Sequence, residues 1–138
     1  MSLVTDWNTR LIDEFRANDG QVDGYFEGAP LLLLHHVGAR TGTARISPLR
    51  YEPVSGGYAI FASKAGAPTN PDWYHNLIAN PDTSVEVGSQ TVSVTARLAN
   101  DAERVPIWEM AKTNFPLFGE YEAKTDRTIP VFLLEPRL

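Results

Sequence analysis

The sequence contains no cysteine. That excludes a disulfide framework, a thiolate zinc site, an iron–sulfur cluster and a cysteine nucleophile. Long apolar runs are also missing: Leu31 to Leu34 stops at His35-His36, far short of the ~20 residues a membrane-spanning helix needs. Asp6, Asp13 and Glu14 interrupt any apolar core that a signal peptide would require. The reading is therefore of a cytoplasmic protein, with contact at a membrane periphery left open. Positive charge is scarce, with 12 Lys and Arg against 17 Asp and Glu and a net charge of −5, which argues against a strongly basic nucleic-acid binder. The G-x-S-x-G elbow, the Walker loop, G-x-G-x-x-G and H-E-x-x-H are all absent. Adjacent His35 and His36 on a strand point to opposite faces and cannot share one ion, so no metal site is expected.

What is present has the length of a single domain, 138 residues, and an uneven distribution of charge. Residues 1–27 carry a net −4 and residues 65–138 a net −4, whereas residues 28–64 carry a net +3 from Arg40, Arg45, Arg50 and Lys64 against Glu52. One basic island in an acidic chain is either a local anion site or a solvated charged face.

Val4, Trp7, Leu11 and Phe15 recur at three- and four-residue spacing, which predicts an amphipathic helix over 3–17. Its stripe can pack on the domain, close a pocket mouth or touch a membrane. Leu31–Val37 predicts a buried strand. Arg45–Val54 and Tyr58–Ser63 predict two strands around Ser55-Gly56-Gly57, with Pro48 and Pro53 confining the first to an edge or a bulge. Asn70-Pro71 predicts a helix capped by Asn70 and ended by Asn80-Pro81. Thr83–Val87 and Gln90–Leu98 predict a second hairpin. Asn100 and Glu103 form a capping-box pattern opening a helix that Phe115-Pro116 closes, with Pro106 delaying or kinking its start. Thr128–Leu134 predicts the last strand. Five or six strands in hairpins with three helices point to an antiparallel α+β fold built on a small closed or half-closed barrel.

The segment Gly38–Pro48 carries the chemistry. Two glycines free the loop, and Arg40, Thr41 and Arg45 supply donors suited to phosphate or carboxylate oxygens. Ser63, Lys64 and Gly66 follow the next strand, where pairing can bring them close. Trp73 and Asn76 come next, Trp73 either in the core with Leu77 or edging a planar ring. The alternatives at this level are a pocket for a phosphorylated or carboxylated ligand and a basic turn without one.

Four blocks then occur in order: Gly38-Ala39-Arg40-Thr41-Gly42 with Arg45 and Ser47-Pro48-Leu49; Ala62-Ser63-Lys64-Ala65-Gly66-Ala67; Asn70-Pro71-Asp72-Trp73-Tyr74 with Asn76-Leu77; and Thr125-Asp126-Arg127-Thr128-Ile129-Pro130. No single block is specific, but the ordered set resembles the deazaflavin-dependent nitroreductase family of actinobacteria over roughly residues 28–137. The resemblance implies a split β-barrel related to FMN-binding proteins, spanning 28–138 after an N-terminal helix and linker at 1–27. It implies coenzyme F420 as the cofactor and hydride transfer to quinones or other electron-poor acceptors, some members reducing nitro compounds. On that reading Arg40, Thr41, Arg45 and Lys64 hold phosphate and tail carboxylates. Ser47, Pro48, Leu49, Ala62, Ser63 and Gly66 belong to the coenzyme site, Trp73 flanks the ring and Asn76 makes a polar contact. Tyr121 aligns with an active-site tyrosine and is the candidate proton donor or orienter, and Trp7 and Phe118 are candidate acceptor contacts. Phe115 and Phe118 stand where nitroimidazole-reducing members carry tyrosines, which counts against prodrug reduction and not against coenzyme binding. An FMN-dependent oxidoreductase of the same barrel and a non-catalytic F420 carrier are the competing readings. The partner is a small-molecule acceptor, with membrane contact only for quinone access, and the chain is read as a monomer or homodimer.

Overall fold

Leu31 to Leu34 show no polar alternation because β1 (Leu31–Val37) is covered on both faces, all four leucines being at most 4% exposed. The computed structural model describes residues 3–22 and 30–137, with side chains from residue 9 onward. Around β1 runs one antiparallel seven-stranded sheet. Its order is β2 (Ala44–Arg50), β1, β5 (Asp82–Val87), β6 (Gln90–Leu98), β7 (Val131–Pro136), β4 (Gly57–Phe61), β3 (Glu52–Val54). Strands β2 and β3 are separated in sequence by Tyr51 alone, yet they form the two opposite edges. Residues 44–54 therefore leave one edge and arrive at the other, and the sheet curls into the half-closed barrel that the sequence implies. The expected strand over 45–54 is thus two strands. Only Glu52–Val54 pairs with β4, while Ala44–Arg50 pairs with β1. Pro48 and Pro53 sit on these edge strands, where a missing N–H breaks no interior ladder.

Inward-facing residues of alternate parity form the barrel core. Leu32, Leu34, Ile60, Val85, Val94, Phe132 and Leu134 pack there. Helix α2 (Asp72–Ala79) adds Trp73 and Leu77 to the same core. Two outer layers complete the molecule. Leu11 and Phe15 of α1 (Leu3–Ala17) cover the outward Leu31 and Leu33 of β1. Helices α3 (Asp101–Asn114) and α4 (Leu117–Lys124) cover Ala59, Phe61, Val131 and Leu133 with Trp108, Ala111 and Phe118. Each buried valine, leucine, isoleucine or phenylalanine among them contributes roughly 1.5–3 kcal/mol.

Local chemistry explains where the sequence expectations shift. The N-cap residue of α2 is Pro71, with no side-chain cap, because Asn70 Oδ1 instead accepts from Arg127 Nη1 at 2.7 Å. Helix α3 starts at its capping box, with Glu103 N–H donating to Asn100 Oδ1 at 2.9 Å, and continues through Pro106 rather than starting late. A fourth helix follows Pro116, which is the N-cap of α4. The last strand begins at Val131, not Thr128, and its stretch through Pro130 serves a loop contact: Ala62 N–H donates to the Pro130 carbonyl at 3.0 Å.

Candidate functional site

The β1–β2 loop is pinned from within. Gly38 N–H donates to the Thr43 carbonyl and Gly42 N–H to the Gly38 carbonyl, each at 2.9 Å. A Cβ at Gly38 would stand 2.5 Å from Thr41 Oγ1, so any side chain there requires Thr41 to shift. The loop places Arg40, Thr41 and Arg45 along a cleft of about 530 Å³, whose far wall is Asp72, His75 and Asn76 of α2. Arg40 and Arg45 are exposed at its rim.

A buried polar chain fastens this loop to the helix. Asn76, 6% exposed, accepts the Ala39 N–H on Oδ1 at 2.9 Å. A backbone N–H can only donate, so the amide orientation is fixed and Nδ2 must donate to His36 Nδ1, 2.9 Å away. His36 is therefore neutral, carries its proton on Nε2 and donates it to Ser47 Oγ at 2.8 Å. Burial, and secondarily the positive charge of Arg45, lower the His36 pKa to about 4. His35 faces the other way, within 2.7 Å of Glu86, which also takes two hydrogen bonds from Arg16 of α1. The pair divides between faces as a strand requires.

A second, smaller pocket of about 210 Å³ continues along the same two elements, β2 and α2. Pro48, Leu49, Arg50 and Trp73 form one side, Ser63, Lys64 and Ala65 another, and Phe115, Phe118 and Tyr121 a third. Trp73 is at once core and wall. It is 6% exposed, packs on Phe132 with ring centroids 5.8 Å apart, and lines the pocket. Phe118 likewise belongs to the outer core and to the pocket, with the half-buried Tyr121 ring edge-on to it at 6.2 Å. The Arg50 guanidinium lies over the Phe115 ring, 3.9 Å from its centroid.

Of the residues singled out in the sequence, Arg40, Thr41, Arg45 and Asn76 meet in the first cleft and Pro48, Leu49, Ser63, Lys64, Trp73, Phe118 and Tyr121 in the second. Ser47 lines neither, its Oγ being engaged by His36. Nor do Ala62 and Gly66 reach either space. Ala62 is fully buried, its N–H bound to Pro130 and its carbonyl to Arg127. Gly66 is buried against α4. The Trp7 side chain lies outside the described residues, and no described side chain of α1 lines either pocket. Sequence reasoning missed His36, whose two nitrogens join the loop, helix and strand. It also missed Arg127, which donates to four oxygens of the segment 62–70 and whose pKa burial lowers. Both sit within recognisable blocks, but nothing in a linear pattern shows their partners.

A sequence model of the family described as F420H(2)-dependent quinone reductase matches residues 7–136. A protein of Mycobacterium tuberculosis named F420H(2)-dependent quinone reductase is 38% identical over 127 residues, covering 89% of this chain and 85% of the relative. Among solved structures, an F420-H2 dependent reductase (FDR-A) superposes with a TM-score of 0.70 at 42% identity, covering 77% of this chain and 94% of that one. A chain described as a domain-swapped dimer superposes with a TM-score of 0.72 at 39% identity, covering 96% and 99%.

Proposed function

This chain belongs to the F420H(2)-dependent quinone reductase family, and from that premise we propose how its two-part cleft serves the reaction. The activity is reduction of a quinone-type small-molecule acceptor at the expense of reduced coenzyme F420. The observation that carries the site reading is the shared pair of walls. Strand β2 and helix α2 line both a cation-rimmed polar cleft and an aromatic pocket. A ligand with an anionic end and a planar end fits that division, and coenzyme F420 has both.

Arg40, Thr41 and Arg45 hold phosphate and carboxylate oxygens at the open end, where guanidinium forks match their geometry. Pro48, Leu49 and Trp73 confine the ring and exclude water from it. Lys64 supplies a further cation at the aromatic pocket. When bound, the reduced coenzyme supplies the hydride, and the protein's part is to orient and shield. Phe115 and Phe118 give the acceptor an apolar wall, and Tyr121 offers its hydroxyl to the acceptor oxygen, which must gain a proton as well as a hydride. Asn76 acts indirectly: its amide is engaged by Ala39 and His36 and so holds the arginine loop in place.

The test is acceptor-dependent oxidation of reduced F420, monitored by the gain of the oxidised coenzyme's fluorescence, in wild type and Tyr121→Phe. Turnover is expected to fall in the variant by roughly 10²–10⁴-fold if its proton is transferred in the transition state, with the coenzyme dissociation constant nearly unchanged. A large loss of coenzyme affinity instead makes Tyr121 a binding residue. Coenzyme binding without acceptor-dependent oxidation in the wild type identifies a carrier.

A further inference from the structure

The turn between β4 and α2 holds three successive residues in the left-handed region, Lys64 at φ +46°, Ala65 at +53° and Gly66 at +83°. Only glycine adopts this region freely. In Lys64 and Ala65 the Cβ crowds the following carbonyl. Such backbone persists where its surroundings over-determine it, and it concentrates at functional sites. Ser63, just before, is right-handed, with φ −76° and ψ −38°. A right-handed residue followed by a left-handed one gathers successive N–H groups into one concavity suited to an oxygen. The amides of Gly66 and Ala67 donate to the carbonyls of Ser63 and Lys64. The amides of Ser63, Lys64 and Ala65 have no acceptor among the described residues, and these three residues line the aromatic pocket.

The carbonyl side of the turn is tied down by one side chain. Arg127 Nη2 donates to the Ala62 and Ser63 carbonyls and Nε to the Ala67 carbonyl, each at 3.0 Å, while Nη1 donates to Asn70 Oδ1 at 2.7 Å. The guanidinium thus spans both ends of the turn, and all four acceptors are neutral. Helix α4 closes the other side, since a Cβ on Gly66 would stand 2.8 Å from the Tyr121 carbonyl oxygen.

We propose that Arg127 is a positioning residue for the coenzyme pocket: by fixing the carbonyls of Ala62, Ser63 and Ala67, it holds the left-handed turn so that the amides of Ser63, Lys64 and Ala65 meet a carbonyl oxygen of the bound ring. This role rests on the coenzyme reading above. It requires arginine in particular, because a rigid planar fork reaches several oxygens at once and a lysine ammonium on a flexible stem does not.

The experiment measures the F420 dissociation constant by fluorescence titration, with melting temperature alongside, for wild type, Arg127→Lys, Ala65→Gly and the double variant. Arg127→Lys is expected to weaken coenzyme binding at least about tenfold. Glycine at position 65 accepts the left-handed conformation without strain, so Ala65→Gly is expected to recover at least about threefold of that loss in the double variant. A lowered melting temperature with an unchanged dissociation constant makes Arg127 merely structural and overturns the proposal. Weakened binding that Ala65→Gly fails to recover overturns the turn as the route. Should Arg127→Lys not fold, Asn70→Ala removes one of the four acceptors, and an unchanged constant in that variant overturns the proposal. A wild type that does not bind F420 overturns the coenzyme reading and this role with it. Binding by wild type with unaltered Arg127→Lys affinity overturns this role alone.

Discussion

His36 is the group on which the inner wall of the polar cleft depends, because it accepts from Asn76 and donates to Ser47 at once. Only the neutral ring can do both. Its pKa is lowered from 6.5 to about 4. Between those values the unfolded chain binds a proton that the folded chain refuses, so stability falls as pH falls through that window. The effect is on the order of 2 kcal/mol once residual solvent screening is allowed for. Urea unfolding at pH 7 and pH 4.5 is expected to show this loss in the wild type and a flatter dependence in His36→Asn. Equal pH slopes in both would contradict the network. At the rim, Arg45→Ala and Lys64→Ala are each expected to weaken F420 binding by about 1–3 kcal/mol, roughly 5- to 150-fold. Titration of both variants checks this, and unchanged affinity in both removes the basic island from the site. At this scale the sequence disclosed residue types and not their partners. Arg40, Thr41, Arg45 and Lys64 were legible because charge and glycine cluster locally. His36 and Arg127 were not, because their partners lie 11 and 40 residues away in one case and 57 to 65 in the other.

The elements that sequence periodicity describes well are those whose partners are local or whose caps are complete. The β5–β6 hairpin around Gly88-Ser89 and the capping box of α3 are such cases. Helix α4 was hidden because Phe115-Pro116 reads as a stop and Gly119 breaks its pattern, although it contributes Phe118 and Tyr121 to the pocket. The division at Tyr51 was hidden for a different reason. Nothing within residues 44–54 shows that their two halves pair with different edges. Helix α1 was legible as an amphipathic helix, but its stripe did not say which surface it covers. Phe15 is 1% exposed against the outer face of β1. Phe15→Ala is expected to cost about 3–5 kcal/mol of folding stability by urea unfolding while leaving the acceptor KM in place, because no described side chain of α1 lines either pocket. An acceptor KM that rises several-fold with stability unchanged would make α1 a cover for the acceptor site.

Over the whole molecule, the half-barrel sets its two open edges, β2 and β3, at the ends of one continuous stretch, and residues of that stretch and of α2 line both parts of the proposed site. An acidic chain of net charge −5 thereby presents its basic island at a cleft rather than spread over a solvated face, which is the arrangement an anionic ligand requires. No helix among the described residues is long and apolar enough to cross a membrane. On the proposed site, the two-part cleft takes coenzyme F420 in preference to a flavin with a single phosphate. Parallel fluorescence titration of the purified protein with F420 and with FMN tests it most directly. F420 is expected to bind at roughly micromolar dissociation constant or tighter with FMN much weaker, and tight FMN binding with none of F420 would contradict the proposed site.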